Sequence, residues 1–248
     1  MADCSTCPSG STCTKDKEKC GIVNNPLNHI KKVIGIMSGK GGVGKSTITA
    51  MFAKDLARRG FKVGILDADI TGPSIPRLMG LQGQMAMGDG ENIVPVVSKE
   101  GVKIMSLNLL LEDESQPVVW RGSLIGSAVK QFWEEGLWGE LDYLLIDMPP
   151  GTGDVALTVM QSTPINGIVM VSVPQDMVSM IVAKAVNMTK KLDVPVLGVV
   201  ENMSYIECPG WKTKISFHEE SGAEDCLKDM GLELLGELPM TKGIAKLA

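Results

Sequence analysis

The sequence is poor in aromatic residues and carries no excess of positive charge. Aromatic side chains make up 4% of the 248 residues, and 29 aspartates and glutamates outnumber 24 lysines and arginines. A protein that mainly binds nucleic acid needs a basic surface and often aromatic rings on which bases stack, so this class is disfavoured. No apolar stretch approaches the roughly 20 residues of a membrane-spanning helix, and the polar N-terminus lacks the apolar core of a signal peptide. We therefore expect a cytoplasmic protein that binds neither nucleic acid nor membrane.

Cysteine, in contrast, is concentrated at one end of the chain. Four of the six cysteines are Cys4, Cys7, Cys13 and Cys20, with the spacing C-x2-C-x5-C-x6-C. Since cytoplasmic thiols stay reduced, such cysteines are expected to bind metal or to act in redox chemistry rather than to form disulfides. Four thiolates in a polar segment can surround one soft metal centre, either Zn²⁺ or an iron–sulfur cluster. Four incidental thiols in a tail are the alternative.

The chain divides into two parts of different character. Residues 1–29 are polar and loop-like around the cysteines, whereas residues 30–248 alternate short apolar runs with helical patterns. This alternation predicts an α/β domain with a doubly wound, mostly parallel sheet. Apolar runs at 94–97 and 102–107 interrupt it and predict a small inserted β-hairpin. The predicted strands are 33–37, 62–66, 142–146, 167–172, 195–200 and 233–236, and the predicted helices are 46–59, 123–135, 155–162, 176–191 and 220–230.

A phosphate-binding loop follows the first predicted strand. Residues 39–46 read GKGGVGKS and fit the pattern G-x-x-x-x-G-K-[ST], between a strand and a helix as that loop requires. The glycines let backbone N–H groups surround nucleotide phosphates, Lys45 brings positive charge to them, and the Ser46 hydroxyl can reach Mg²⁺. The motif therefore predicts a P-loop NTPase that binds a nucleotide and Mg²⁺. The residues predicted to bind the nucleotide in this segment are Gly39, Lys40, Gly41, Gly42, Val43, Gly44, Lys45, Ser46 and Thr47.

Three further segments follow predicted strands, at the edge where such sheets bind ligands. Asp67 and Asp69 follow the second strand, where a carboxylate can orient water or Mg²⁺; a turn capped by aspartates is the alternative. Asp147 ends an apolar strand, as in a Walker B motif, and is predicted to hold Mg²⁺. Asn202 follows a strand predicted to end at Val200, and its amide suits either an adenine edge or the capping of a loop. The predicted Mg²⁺ ligands are thus Ser46, Asp69 and Asp147.

Together these motifs resemble those of a known family. Lys40, inside the phosphate loop, is typical of the deviant Walker A ATPases, which include MinD and ParA. The segments 67–74, 147–154, 173–176 and 201–204 narrow the resemblance to the Mrp/Nbp (ApbC-like) family of ATP-dependent iron–sulfur cluster carriers. The resemblance spans about residues 31–240, and it implies a P-loop NTPase fold, ATP as the nucleotide and a homodimer.

The resemblance also implies roles for individual residues. Lys40 would reach across the dimer interface to the nucleotide of the partner subunit, and Lys45 would contact the β/γ-phosphates. Asp69 would belong to switch I and assist the attacking water, so that Lys40, Lys45 and Asp69 are the expected catalytic residues. Asp147 would belong to switch II, and Asn202 would read adenine.

The cysteines match this family only in part. The C-x2-C-x5-C portion is similar to the N-terminal cluster motif of the Nbp branch, but the fourth cysteine is not in that branch's usual place. In the family a Cys-x-x-Cys pair after the Asn-Met-Ser loop bridges a cluster between subunits, whereas here Cys208 is followed by Trp211. A symmetric dimer would then offer two thiolates where a 4Fe–4S cluster takes four. Both a cluster at Cys208 completed by other ligands and an altered bridging site are left open.

We expect an ATPase that assembles iron–sulfur clusters, of the 4Fe–4S type, or transfers them to apo-protein clients, with Zn²⁺ as the alternative at the N-terminal cysteines. Two other functions are considered. A spatial regulator like MinD or ParA would bind membrane or DNA, and the acidic balance of the chain argues against it. A redox ATPase resembling the nitrogenase iron protein is weakened by the missing second cysteine.

Overall fold

Strands and helices alternate along the described part of the chain. The computed structural model describes residues 22–69, 72, 74–88, 90–111, 122–174, 178–207, 214–216, 227–228 and 230–241. The strands are β1 (His29–Ser38), β2 (Val63–Asp67), β3 (Met87–Gly88), β4 (Ile93–Val94), β5 (Val96–Val97), β6 (Lys103–Met105), β7 (Glu140–Asp147), β8 (Gly167–Ser172), β9 (Val196–Glu207), β10 (Lys214–Ser216) and β11 (Leu234–Pro239). The helices are α1 (Lys45–Arg58), α2 (Ile75–Leu78), α3 (Gly122–Glu134), α4 (Asp154–Ser162) and α5 (Val178–Lys191).

A single sheet contains most of these strands, in the order β10-β9-β8-β1-β7-β2-β6-β5, and β11 also pairs with β9. The neighbours from β9 to β6 are parallel, and antiparallel pairs occur where β10 joins β9 and β5 joins β6. The prediction of a doubly wound, mostly parallel sheet is confirmed. In register, Asp147 of β7 lies beside Ile36 of β1 on one side and beside Asp67 of β2 on the other. The carboxyl ends of these strands therefore form one edge, where ligands bind in open α/β sheets.

Helices cover both faces of the sheet. Val33 and Met37 of β1 belong to one core with apolar side chains of α3, α4 and α5, whereas Ile36 packs in another with Ile48 of α1. Successive side chains of a strand point to opposite faces, so α1 lies on one face and α3, α4 and α5 lie on the other. Burial on both faces explains why β2 and β8 are buried along their whole length. None of the helices in the described ranges is long and apolar enough to cross a membrane.

Most predicted elements within the described residues are present with shifted ends. The largest difference is β9, which runs to Glu207 instead of ending at Val200. The prediction missed α2, whose four residues, Pro76 among them, are too few to show a helical period. The predicted helix 220–230 falls mostly outside the described residues, of which 227–228 are helical.

The predicted hairpin forms, but it belongs to the central sheet. β5 pairs antiparallel with β6, and β6 pairs parallel with β2. Val94 lies in a separate antiparallel pair, β3 with β4, because Pro95 has no N–H with which to continue one ladder through residues 94–97. As a parallel neighbour of β2, β6 brings the next residue, Ser106, to the carboxyl edge of the sheet.

Candidate nucleotide site

The phosphate loop links the end of β1 to the start of α1. Gly42 and Gly44 have φ angles of 79° and 84°, a left-handed backbone that glycine adopts without steric cost. The Ser38 hydroxyl donates to the carbonyl of Lys40 at 2.9 Å, and the Gly151 N–H donates to the carbonyl of Ser38 at 2.8 Å. Helix α1 begins at Lys45, so its free N–H groups and its positive dipole end face the loop. This backbone suits an anion such as a nucleotide phosphate.

Asp147 is the centre of the site. It ends β7 and is fully buried, and three side chains of α1 hold its carboxylate. Lys45 Nζ lies 2.7 Å from Oδ2, the Ser46 hydroxyl donates to Oδ2 at 2.6 Å, and the Thr49 hydroxyl donates to Oδ1 at 2.6 Å. A buried charge is tolerated when it is paired and hydrogen-bonded in this way. The Walker B aspartate and the phosphate loop, 101 residues apart at Ser46, are thus in direct contact.

Two further carboxylates lie beside this centre, at the end of β2. Asp69 Oδ2 is 3.5 Å from Lys45 Nζ, so Lys45 lies between Asp69 and Asp147. Asp67 is buried, accepts a hydrogen bond from Ser106 Oγ at 3.0 Å and accepts the Asp69 N–H at 3.2 Å. Burial, and next the nearby charge of Asp147, raise the pKa of the Asp67 carboxyl well above its ordinary range, although Lys45 and the Ser106 hydroxyl act in the opposite direction. Asp67 thus caps the turn through the Asp69 N–H, as the alternative interpretation predicts, and it also lies in the site.

Asn202 lies inside β9, and the prediction that a strand ends before it is wrong. Met203, within the strand, takes a left-handed φ of 55°, and β9 pairs with β11 on both sides of Met203 and with β10 beyond it. The Asn202 side chain is buried and donates from Nδ2 to the carbonyl of Val43 at 2.9 Å. Its Oδ1 is also buried and has no hydrogen-bond partner among the described residues. Asn202 thus contacts the phosphate loop, and its role toward adenine stays a prediction.

The structure brings together most of the predicted site residues. One cluster contains Lys45, Ser46, Asp69 and Asp147. Lys40 is a partly exposed residue of the phosphate loop. The predicted metal-binding cysteines lie outside the described residues; these are Cys4, Cys7, Cys13, Cys20 and Cys208. Sequence reasoning missed Thr49 and Ser106. Thr49 could have been found, because it lies one helical turn after Lys45 and thus on the same face of α1.

Comparison with known proteins identifies the family. A model of the ParA family, described as NUBPL iron-transfer P-loop NTPase, matches residues 29–248. The chain belongs to this family. The match confirms the resemblance inferred from the motifs and the P-loop NTPase fold.

Several curated relatives are similar over most of the chain. A protein of Clostridium perfringens named iron-sulfur cluster carrier protein is 47% identical, over 97% of this chain and 89% of its own. A protein of the same name from Methanocaldococcus jannaschii is 44% identical, over 96% of this chain and 83% of its own. The mouse iron-sulfur cluster transfer protein NUBPL is 43% identical, over 87% of this chain and 67% of its own.

Solved structures share the fold. A nucleotide-binding protein from Archaeoglobus fulgidus, solved in complex with ADP, is 44% identical with a TM-score of 0.78, over 88% of this chain and 85% of that chain. The MinD cell division protein of Aquifex aeolicus is 22% identical with a TM-score of 0.59, over 87% of this chain and 85% of that chain. The likeness to MinD concerns the fold alone.

Within this NUBPL-type site, Thr49 offers a test of how Asp147 is held. We expect Thr49→Val, which keeps the shape but removes the donor to Oδ1, to lower the free energy of unfolding by about 1–3 kcal/mol, because a buried carboxylate oxygen loses a hydrogen bond. Urea unfolding followed by circular dichroism measures the difference.

Thr163→Val is the matched control for this prediction. Thr163 is as deeply buried, but its hydroxyl donates to the carbonyl of Val159, which also accepts the Thr163 N–H at 3.1 Å. Its loss leaves no polar atom unpaired, so we expect a smaller cost than at Thr49. Equal costs for the two variants would show that the contact between Thr49 and Asp147 has no special weight.

Proposed function

We propose that this protein is an ATP-hydrolysing iron–sulfur cluster carrier that works as a homodimer and delivers clusters to apo-protein clients. The observation that carries the proposal is the contact of Lys45, Ser46 and Asp147 in a chain whose relatives, at 43–47% identity, are named for iron–sulfur cluster carriage or transfer. The contact supports ATP binding and hydrolysis, and the names of the relatives support an iron–sulfur cluster as the cargo.

The residues of the site fit ATP and Mg²⁺. Ser46 Oγ and Asp147 Oδ2 are oxygen donors 2.6 Å apart, which is the ligand type that Mg²⁺ takes, and they would hold the ion. When bound, Mg²⁺ neutralises charge on the β- and γ-phosphates. Lys45 Nζ, close to both Asp147 and Asp69, would contribute its positive charge to the same phosphates. The unpaired Oδ1 of Asn202 would accept a hydrogen bond from the amino group of adenine.

Asp69 and Lys40 are the proposed catalytic residues beside Lys45. Asp69 is 14% exposed at the side chain and close to Lys45, a position from which its carboxylate would orient the attacking water and accept its proton. Lys40 lies on the partly exposed rim of the loop, and we propose that in a homodimer it reaches the nucleotide of the partner subunit and stabilises the charge of the transition state. Loss of the γ-phosphate would then release segments 67–77 and 147–154 and change the affinity of the protein for its cargo, the cluster.

The cargo is proposed to be a 4Fe–4S cluster held by cysteine thiolates. Cys4, Cys7, Cys13 and Cys20 would form one metal site, either for a cluster or for Zn²⁺. Cys208 of two subunits would form a second, bridging site. Because Trp211 replaces the second cysteine of that motif, the bridging site needs ligands beyond these two thiolates.

Asp69→Asn tests the coupling between hydrolysis and transfer. We expect this variant still to bind ATP and cluster but to hydrolyse ATP about a hundredfold more slowly, because the proton acceptor is lost. Transfer of iron and sulfide to an apo-enzyme that becomes active with a 4Fe–4S cluster is then expected to lose its dependence on ATP.

Asp55→Asn is the matched control for this variant. Asp55 is an exposed carboxylate of α1 that pairs with Arg59 just beyond the helix, and its loss should leave hydrolysis and transfer unchanged. Unaltered ATP-dependent transfer by the Asp69 variant would contradict the proposed coupling. ATP-dependent binding to liposomes or DNA, or ATP-stimulated reduction of an acceptor without loss of iron, would favour one of the two other functions.

Iron, zinc and acid-labile sulfide per dimer test the metal sites directly. Anaerobically purified wild type is compared with a variant in which Cys4, Cys7, Cys13 and Cys20 are alanine, and with Cys208→Ala. The proposal of two cluster sites requires that both variants lose iron and sulfide. A loss confined to the N-terminal variant would contradict the bridging site, and zinc without sulfide would contradict the carrier function.

A further inference from the structure

Ser106 is a buried polar residue next to the nucleotide site. It belongs neither to the phosphate loop nor to segments 67–77 and 147–154, so none of the roles proposed above includes it. It follows β6, in which Met105 lies beside Leu66 of β2, so the next residue of each strand, Ser106 and Asp67, lie together at the carboxyl edge of the sheet. Ser106 is fully buried, and its hydroxyl donates to Asp67 Oδ2 at 3.0 Å.

The other oxygen of Asp67 connects this pair to Asp69. Asp67 Oδ1 accepts the backbone N–H of Asp69 at 3.2 Å, and the Asp69 carboxylate lies 3.5 Å from Lys45 Nζ. A chain of contacts therefore runs from the Ser106 hydroxyl through the Asp67 carboxylate to the backbone of Asp69. Each oxygen of Asp67 has one of these donors, so the carboxylate is oriented from both sides.

We propose that Ser106 is a positioning residue for ATP hydrolysis, acting through Asp67 to fix the backbone that carries Asp69. The inference rests on the proposed ATPase function and on the proposed role of Asp69. Rates are sensitive to such positioning, because a displacement of about 1 Å at a reacting group can cost a factor of about a hundred. Without the Ser106 hydroxyl the Asp67 carboxylate can rotate, and Asp69 loses its fixed distance from Lys45.

A comparison of serine variants in iron-free protein tests the proposal. We expect Ser106→Ala to lower kcat for ATP hydrolysis about tenfold, the factor that corresponds to the loss of one hydrogen bond, with KM for ATP changed less than twofold. Ser106→Cys keeps the size and a weak donor, so its kcat should lie between those of the alanine variant and the wild type.

Ser98→Ala is the matched control at the other end of β6. Ser98 is also buried, but its hydroxyl is bonded within the β5–β6 turn to Glu100 and to the Val102 N–H, away from the carboxylates. We expect it to affect folding stability without changing kcat. An unchanged kcat in Ser106→Ala, or equal losses of kcat in the Ser98 and Ser106 variants, would overturn the proposal.

Amide hydrogen exchange in nucleotide-free protein tests the positioning without any turnover. We expect the Asp69 N–H to exchange about tenfold faster in Ser106→Ala than in wild type. The Leu27 N–H, which donates to the Asn25 side chain at 3.0 Å far from the site, should be unchanged. Equal exchange at Asp69 overturns the inference even if the protein proves to be an ATPase. Faster exchange without any ATP hydrolysis by the wild type would contradict the proposed function and leave the positioning of Asp69 by Ser106 supported.

Discussion

Replacing Lys45 by alanine is expected to abolish ATP hydrolysis and also to lower the free energy of unfolding by about 3–5 kcal/mol. The second effect comes from Asp147. The Lys45 and Asp147 side chains are 6% and 0% exposed and 2.7 Å apart, so the variant leaves a buried carboxylate without its counter-charge. Asp69 and Asp67, also acidic, lie beside it. Chemical denaturation of the nucleotide-free protein measures this cost independently of activity.

A double variant separates stability from activity at this pair. Lys45→Met with Asp147→Asn removes both charges, keeps the side-chain volumes and still offers an acceptor to Thr49. Because neutral, well-packed replacements of a buried ion pair are often tolerated, we expect most of the lost stability to return while hydrolysis stays absent. If the double variant is as unstable as Lys45→Ala, the unpaired charge is not the cause of the loss.

Lys31→Ala is the control for burial. Lys31 Nζ and Asp142 Oδ1 are also 2.7 Å apart, but the Lys31 side chain is largely exposed. Water solvates both charges when such a pair is broken, so we expect little change in the free energy of unfolding. A cost similar to that of Lys45→Ala would contradict the argument from burial.

The parts of the site that sequence alone predicts are those determined by local pattern. The phosphate loop is contiguous, and Asp147 ends an apolar strand whose position in a parallel sheet follows from the alternation of strands and helices. Two such patterns at strand ends are enough to place Lys45, Ser46 and Asp147 at one edge. The cluster therefore follows from residues 39–46 and 142–147 together with the fold class.

The parts that sequence does not predict depend on long-range pairing. Ser106 reaches the site only because β6 pairs parallel with β2, whereas its local pattern is that of a hairpin strand. Asn202 lies inside β9 because the strand continues to pair with β11 and β10 beyond it, past a left-handed Met203 for which methionine gives no signal. Its contact with Val43 joins residues 159 positions apart. In each case the tertiary environment, not local preference, decides the position.

Gly44→Ala is expected to disturb the phosphate loop more than its small size suggests. Gly44 has a φ of 84°, and a Cβ atom there would collide with Nδ2 of Asn202. A left-handed alanine costs about 1–2 kcal/mol, and forced overpacking adds about 1–3 kcal/mol. We expect the free energy of unfolding to fall by the sum and the affinity for ATP to fall at least tenfold, because the loop backbone must move. Thermal unfolding and titration calorimetry measure the two effects.

Two further variants, Gly60→Ala and Gly44→Ala in an Asn202→Ala background, separate the cost of backbone strain from the cost of the collision. Gly60 has nearly the same φ, 88°, but nothing lies within 4 Å of its added Cβ, so this variant reports backbone strain alone. In an Asn202→Ala background the collision is removed, and we expect Gly44→Ala to cost no more than Gly60→Ala does. The difference between the two backgrounds then measures the contact between β9 and the phosphate loop. If Gly44→Ala costs the same in both backgrounds, Asn202 does not restrain the loop, and its Val43 hydrogen bond has no part in shaping the nucleotide site.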